Sequence, residues 1–361
     1  MARLRRADCS GPGIRRRRRG KGFEYLDEDG TRVTEPSVLQ RVRELAIPPA
    51  WEDVWICPYP MGHLQATGVD SAGRKQYRYH DRWRERRDRE KFDSMVRFAE
   101  ALPKLRERVA SDLVLEGMPK DRVLACAVRL MDLGFFRIGS EDYAEENDTY
   151  GIATMERRHV SVWGTEITFD YEAKGGQHRI QAITDPAAAE VVRSLKRRRG
   201  GSDDLLAYKS GARWVDVRSP DINEYVKEAA GEEFSAKDFR TWSGTVLAAV
   251  ALAASATAAQ GTKTARKRAK TLAIKEVAHH LGNTPAVARS SYIDPRIFDR
   301  FDGGLTISGA LPDLAEGSEE DRAEAAREIE EGVLDLIARD ISSPAVERAA
   351  EVASELEEVA A

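Results

Sequence analysis

From residue 89 onward the chain repeats apolar residues at helical spacing, and one block breaks that rhythm. In "RHVSVWGTEITFDYEAKGGQHRIQAI" (158–183) the apolar period drops to two. A helix buries a stripe every 3.6 residues and a strand buries alternate residues, so neither pattern suits the other form. The rhythm therefore predicts a mainly helical body holding a three-stranded β element, with turns at Gly164-Thr165 and Lys174-Gly175-Gly176. Punctuation supports the helices. "KDRVLACAVRLMDLG" stops at Gly134, "SPDINEYVKEAAG" opens on Ser219-Pro220, and Ser235 with Asp238 is spaced as a capping box. "TARKRAKTLAIKEVAHHLGN" ends at Gly282-Asn283.

The front of the chain reads differently. "FEYLDEDGTRV" has short alternating runs about Asp29-Gly30 and predicts a hairpin. "SVLQRVRELAI" is a short helix stopped by "PPAW", and "DVWICPYP" and "HLQATGVDSAGRKQYRYH" read as further strands. The expected organisation is a basic arm over 1–21, a small β-rich domain over 22–88, a larger helical domain over 89–308 and an acidic helical tail over 309–361. The fold class is α+β.

The net charge of −4 hides an asymmetry. Residues 309–361 hold 16 Asp/Glu against 4 Arg, while the preceding 308 residues hold 53 Lys/Arg against 45 Asp/Glu. A basic body with an acidic tail suggests a polyanionic partner. The five arginines Arg15, Arg16, Arg17, Arg18 and Arg19 favour a nucleic-acid arm over a merely solvated one. Arg74, Lys75, Gln76, Tyr77 and Tyr79 mix basic, amide and aromatic groups, which can meet phosphates and base edges together; a solvated edge strand is the plainer reading. Three scattered cysteines fit a reducing compartment. With no apolar run of membrane length, no leader pattern, no Cys/His cluster and no phosphate loop, the expectation is a cytoplasmic protein without metal or cofactor.

Four further positions carry chemistry: Arg137 in "FFRIGSEDYAEENDTYG", Lys174 at a hairpin tip, Arg240 in "KDFRTW" and Tyr292 in "AVARSSYIDP". Singly, each has a bland reading as a salt-bridging arginine, a solvated lysine or a packed tyrosine. In order and local frame, the segments "GRKQYRYH", "FRIGSEDYAEENDTYGIATM", "AKGGQH", "KDFRTW" and "LGNTPAVARSSYIDP" together resemble the type IB DNA topoisomerases of the small poxvirus and bacterial kind. The resemblance spans about residues 10–300.

That resemblance implies an ATP-independent enzyme, a monomer associated with the nucleoid, which clamps duplex DNA and relaxes supercoils. Tyr292 would attack a phosphodiester to leave a 3′-phosphotyrosyl link and a free 5′-hydroxyl. Arg137 and Arg240 match the family's transition-state arginines, and Lys174 matches its general acid. The cations would serve where other phosphoryl-transfer enzymes use a metal. Where many members have a histidine nine residues before the tyrosine, this chain has Asn283, an uncharged donor. Tyrosine recombinases share the catalytic plan, but their usual histidine three residues before the second arginine is here Lys237. A non-enzymatic DNA-binding protein would account for the basic body and not for the ordered Arg/Lys/Arg/Tyr set.

Overall fold

The structure, a computed structural model, describes residues 3–141, 144, 148–256, 262–311 and 319–348, and the side chains of these except 319–323. The chain divides into two compact units, Met1–Asp93 and Ser94–Ala361. The expected α+β class is what is found.

The first unit is an antiparallel sheet of β1 (Ile14–Arg19), β2 (Gly22–Leu26), β3 (Glu52–Ile56), β4 (Leu64–Val69) and β5 (Lys75–Tyr79), in the order β2-β1-β3-β4-β5. The short helix α1 (Pro36–Glu44) supplies Val42 to one face, against Ile14, Val54, Ile56 and Ala66. On the other face Trp55, Cys57 and Leu64 pack under Ala7 and Cys9. Gly13 is required there, since a Cβ would sit 2.0 Å from the Trp55 indole nitrogen.

One expectation changes here. The arginine run is not an arm: Ile14–Arg19 is a strand paired on both sides, to β2 and to β3. The expected turn about Asp29-Gly30 is present, with the bridge Leu26 to Arg32 flanked by Val33 N–H to Tyr25 O at 2.8 Å and Asp27 N–H to Thr31 O at 2.9 Å, while the longer pairing of β2 is to β1 across Gly20-Lys21. Ile14 anchors the run in the core, and alternation then separates the arginines. Arg16, on the Ile14 face, lies over the Phe23 ring at 4.2 Å and donates to the carbonyls of Ile47 (3.4 Å), Pro48 (3.1 Å) and Trp51. Arg17 faces Glu24 directly across the pair, and Arg19 joins the same carboxylate.

The second unit is mainly helical. It holds most of α2 (Asp81–Leu113), then α3 (Lys120–Gly134), α4 (Pro186–Arg197), α5 (Ser219–Ala230), α6 (Ala236–Ala254), α7 (Lys263–Leu281), α8 (Pro285–Ser291), α9 (Pro295–Asp302) and α10 (Glu319–Ala338). The period-two block forms the antiparallel sheet β6 (Val160–Trp163), β7 (Glu166–Ala173) and β8 (Gln177–Thr184), with turns where the glycines fall. Ile167, Phe169 and Tyr171 alternate inward, and Phe169 meets Phe136 edge-on at 4.7 Å. Short pairs β9 (Ala207–Ser210) with β10 (Arg213–Asp216), and β11 (Leu305–Thr306) with β12 (Glu347–Arg348), complete it. The acidic tail is helical over α10, yet it is also part of the core: Val333, Leu336 and Ile337 are buried, and β12 pairs with β11. Among the described residues no helix is long and apolar enough to cross a membrane.

The split use of the arginines is testable. Arg16→Ala leaves carbonyls without their donor and should destabilise the protein by about 1–3 kcal/mol. Arg18, exposed and unpartnered among the described residues, should tolerate alanine within about 0.5 kcal/mol. Urea titration followed by tryptophan fluorescence reads both, and equal effects would refute the assignment.

Candidate active site

The second unit gathers three guanidinium groups at the C-terminal end of α7. The last carbonyls of a helix lack intrahelical partners and carry the negative end of its dipole. Here Gly282 ends the helix in the left-handed conformation at φ 58°, and Asn283 N–H returns to the Ala278 carbonyl at 2.9 Å. Three exposed carbonyls then receive three arginines. Arg179 donates to His280 O at 2.7 Å, Arg240 to Leu281 O at 2.8 Å and Arg137 to Gly282 O at 2.7 Å. Arg137 also donates to Asn283 Oδ1 at 3.0 Å.

Each arginine is placed by a different element. Arg137 follows α3, whose end at Phe135 is left-handed, in a segment hydrogen-bonded to Ile152 and Ala153. Gly139 and Gly151 cross so closely that a Cβ on Gly151 would meet the Gly139 nitrogen at 2.4 Å. Arg240 lies in the first turns of α6, is 4% exposed and also donates to the Phe135 carbonyl. Its Nε has no hydrogen-bond partner among the described residues. Burial, then the charge of Arg137, lowers its pKa to about 10, while neighbouring Tyr292 opposes the shift. The guanidinium remains protonated at neutral pH.

Tyr292 caps the end of α8, with its ring centroid 5.2 Å from Arg240 Cζ. Its carbonyl accepts from Thr245 Oγ, which in turn accepts from Asp294 N–H. Asp294, fully buried, starts α9 and pairs with Arg296 at 2.7 Å. The "YIDP" stretch is thus a stop between two helices, pinned to α6.

The structure brings Arg137, Arg240, Asn283 and Tyr292 together. It sets Lys174 at the exposed tip of the β7–β8 hairpin, in a turn with Gly175 (φ 82°) and Gly176 (φ 68°). The base of that hairpin is tied to the same centre, because Gln181 donates to Gly134 O at 2.9 Å and Arg179 to the end of α7. Arg179 was not singled out from the sequence. The signal was present: Gln177, Arg179 and Gln181 share the inward phase of β8 with Ile183, and polar residues in a core phase demand partners.

The remaining candidates lie in the first unit. The register puts Arg15, Arg17 and Arg19 of β1 on the same sheet face as Lys75, Tyr77 and Tyr79 of β5. Tyr77 and Tyr79 are 46% and 37% exposed, with parallel rings 6.1 Å apart. Arg74 and Gln76 both bond the Asp70 carboxylate.

Residues 80–301 match the family model for the catalytic core of eukaryotic DNA topoisomerase I, and residues 22–70 match that for the N-terminal domain of bacterial DNA topoisomerase IB. The chain belongs to the type IB DNA topoisomerases, a family of isomerases. It is 31% identical to the DNA topoisomerase 1B of Acanthamoeba polyphaga mimivirus over 292 residues, 78% of this chain and 85% of the relative. It is 24% identical over 140 residues to the DNA topoisomerase 1B of vaccinia virus and to the DNA topoisomerase I of monkeypox virus, 38% of this chain and 44% of each relative.

The seat of Tyr292 depends on Gly244. A Cβ there would lie 2.7 Å from the Tyr292 carbonyl oxygen and 3.2 Å from the Tyr292 Cβ. Gly244→Ala should therefore destabilise by about 1–3 kcal/mol through overpacking. A denaturation midpoint unchanged from wild type would show that this contact yields freely.

Proposed function

We propose that this protein relaxes supercoiled duplex DNA through a transient 3′-phosphotyrosyl intermediate, needing neither ATP nor a metal ion. The observation that carries the reading is the convergence of Arg137, Arg179 and Arg240 beside Tyr292. Among the described residues the bonds of Arg179 and Arg240 go to carbonyls and an amide rather than to carboxylates. Arg179 and Arg240 thus keep their positive charge for an outside anion, and among the described residues the buried Arg240 Nε makes no hydrogen bond.

In this mechanism the Tyr292 oxygen attacks the phosphorus and the bond to the 5′-oxygen breaks. The phenol proton leaves to solvent, and Lys174 gives a proton to the departing 5′-oxygen. Arg137 and Arg240 bind the non-bridging oxygens, where negative charge grows in the transition state. Asn283 adds one neutral N–H donor. The phosphodiester is stored as a phosphotyrosine ester of similar energy, so the reverse attack by the 5′-hydroxyl reseals the strand without ATP. Between the two steps the cut strand rotates. Lys75, Tyr77 and Tyr79, with Arg15, Arg17 and Arg19 on the same face, serve as a second DNA-facing surface, with Arg74 and Gln76 at its edge. The enzyme acts as a monomer, in the cytoplasm and on the nucleoid.

The direct test is incubation with supercoiled plasmid in EDTA without ATP, followed by detergent trapping of protein on DNA. Wild type should relax the plasmid and leave trapped adduct, and Tyr292→Phe should bind DNA yet do neither. Relaxation by that variant would end the proposal.

Lys174 has its own test. Loss of a general acid should slow cleavage by about 10²–10⁴-fold. A substrate with sulfur in place of the bridging 5′-oxygen expels a thiolate, which leaves without a proton. Lys174→Ala should be slow on ordinary DNA and largely restored on the sulfur substrate, while Arg240→Ala should not be. Equal defects for Lys174→Ala on both substrates would move the acid role elsewhere.

A further inference from the structure

Helix α10 lies beyond the stretch matched to the catalytic core, and it reaches toward the elements that carry Arg137, Arg240 and Tyr292. Its Glu330 is at the centre. Both carboxylate oxygens receive Arg106 of α2, at 2.6 Å and 2.9 Å. The same guanidinium holds Asp132 in the last turn of α3 at 2.8 Å and 2.9 Å, five residues before Arg137. Glu330 Oε1 also accepts the indole N–H of Trp242 at 3.1 Å. Trp242 is 2% exposed and sits two residues after Arg240 on α6. At the other end of α10, Arg300 of α9 donates to the carbonyls of Leu336 (3.1 Å) and Ile337 (3.2 Å), eight residues after Tyr292.

We infer that Glu330 is a positioning residue for the candidate active site, acting through Trp242 on Arg240. The inference rests on the function proposed above. The physical argument is one of stiffness. Among the described residues Arg240 has no carboxylate partner to fix it, and its placement depends on where α6 stands. Two of the first turns' anchors are the Arg240 bonds themselves, which a bound phosphate must be free to share. The Trp242–Glu330 bond holds α6 from the opposite side without engaging the reacting groups. Glu330 in turn cannot shift, because Arg106 grips it with two parallel charged bonds and is itself gripped by Asp132. The acidic tail then has a role in catalysis that needs no contact with DNA.

The test is a double-mutant cycle on the full chain, reading the rate of covalent adduct formation on plasmid DNA with enzyme in excess. Glu330→Ala should slow the rate on the order of tenfold, the scale expected for a small misplacement of a reacting group. DNA affinity should stay within about twofold of wild type, since no group facing the phosphate is altered. Glu330→Gln, which keeps an acceptor for Trp242, should lie between the two. The deciding readout is the Arg240→Ala background. A residue that acts through Arg240 has nothing left to position there, so Glu330→Ala should add less than about twofold to that variant. An equal slowing in both backgrounds would show general damage to the fold and overturn the inference, as would a wild-type rate in Glu330→Ala. Should Glu330→Ala fail to fold, Glu330→Gln alone is taken through the same cycle, where a slowing that persists undiminished in the Arg240→Ala background would overturn the inference. A wild-type enzyme that forms no adduct would overturn the functional reading, and this inference with it.

Discussion

The end of α7 is the point on which the rest of the site depends. Three carbonyls without intrahelical partners, at the negative end of a helix dipole, hold three guanidinium groups that would otherwise repel each other. The elements that bring the arginines are unrelated in sequence: the exit of α3, strand β8 and the first turns of α6. The common docking point makes them one site. It also sets the length of α7, because the left-handed turn at Gly282 exposes the carbonyls and turns Asn283 back toward Arg137.

Arg106 and Arg240 show how the same side chain serves two purposes. Arg106 is held by two carboxylates, and those partners raise its pKa against the effect of burial. Its charge is spent inside the protein, joining α2, α3 and α10. Arg240 is more deeply buried and, among the described residues, bonds carbonyls and neighbours Tyr292 rather than a carboxylate, so burial and Arg137 lower its pKa. A charge held in this way is costly unless an anion completes it. Structural and receptive arginines thus differ in their acceptors, a property of the fold that residue type does not reveal.

Much of the fold was legible because periodicity acts locally. The block 158–183 formed the three predicted strands, and Gly134, Gly164, Gly175 and Gly282 all mark ends or turns where expected. The arginine run was misread because five charges in a row carry no alternation of their own. Ile14 alone fixes the phase of β1, and the partners that make it a strand, Glu24 and the edge of β3, lie elsewhere in the chain. The tail is helical as expected, but its packing was not legible. Its composition is acidic, but Val333, Leu336 and Ile337 find an apolar partner surface that composition cannot specify.

By itself, the sequence determined the α+β class, the main helices with the three-stranded block among them, the hairpin that carries Lys174 and a short set of candidate site residues. These follow from spacing and from side-chain character, which neighbours along the chain decide. The tertiary structure alone decided that Arg179 joins the cluster, that Arg16 is turned to carbonyls while Arg15, Arg17 and Arg19 share a face with Tyr77 and Tyr79, and that Glu330 accepts from Trp242. Each of these is a pairing over a long stretch of chain, from 31 to 101 residues for the hydrogen bonds concerned. Such pairings are selected by packing and by the requirement that every buried donor find an acceptor, and no local pattern encodes which acceptor that will be.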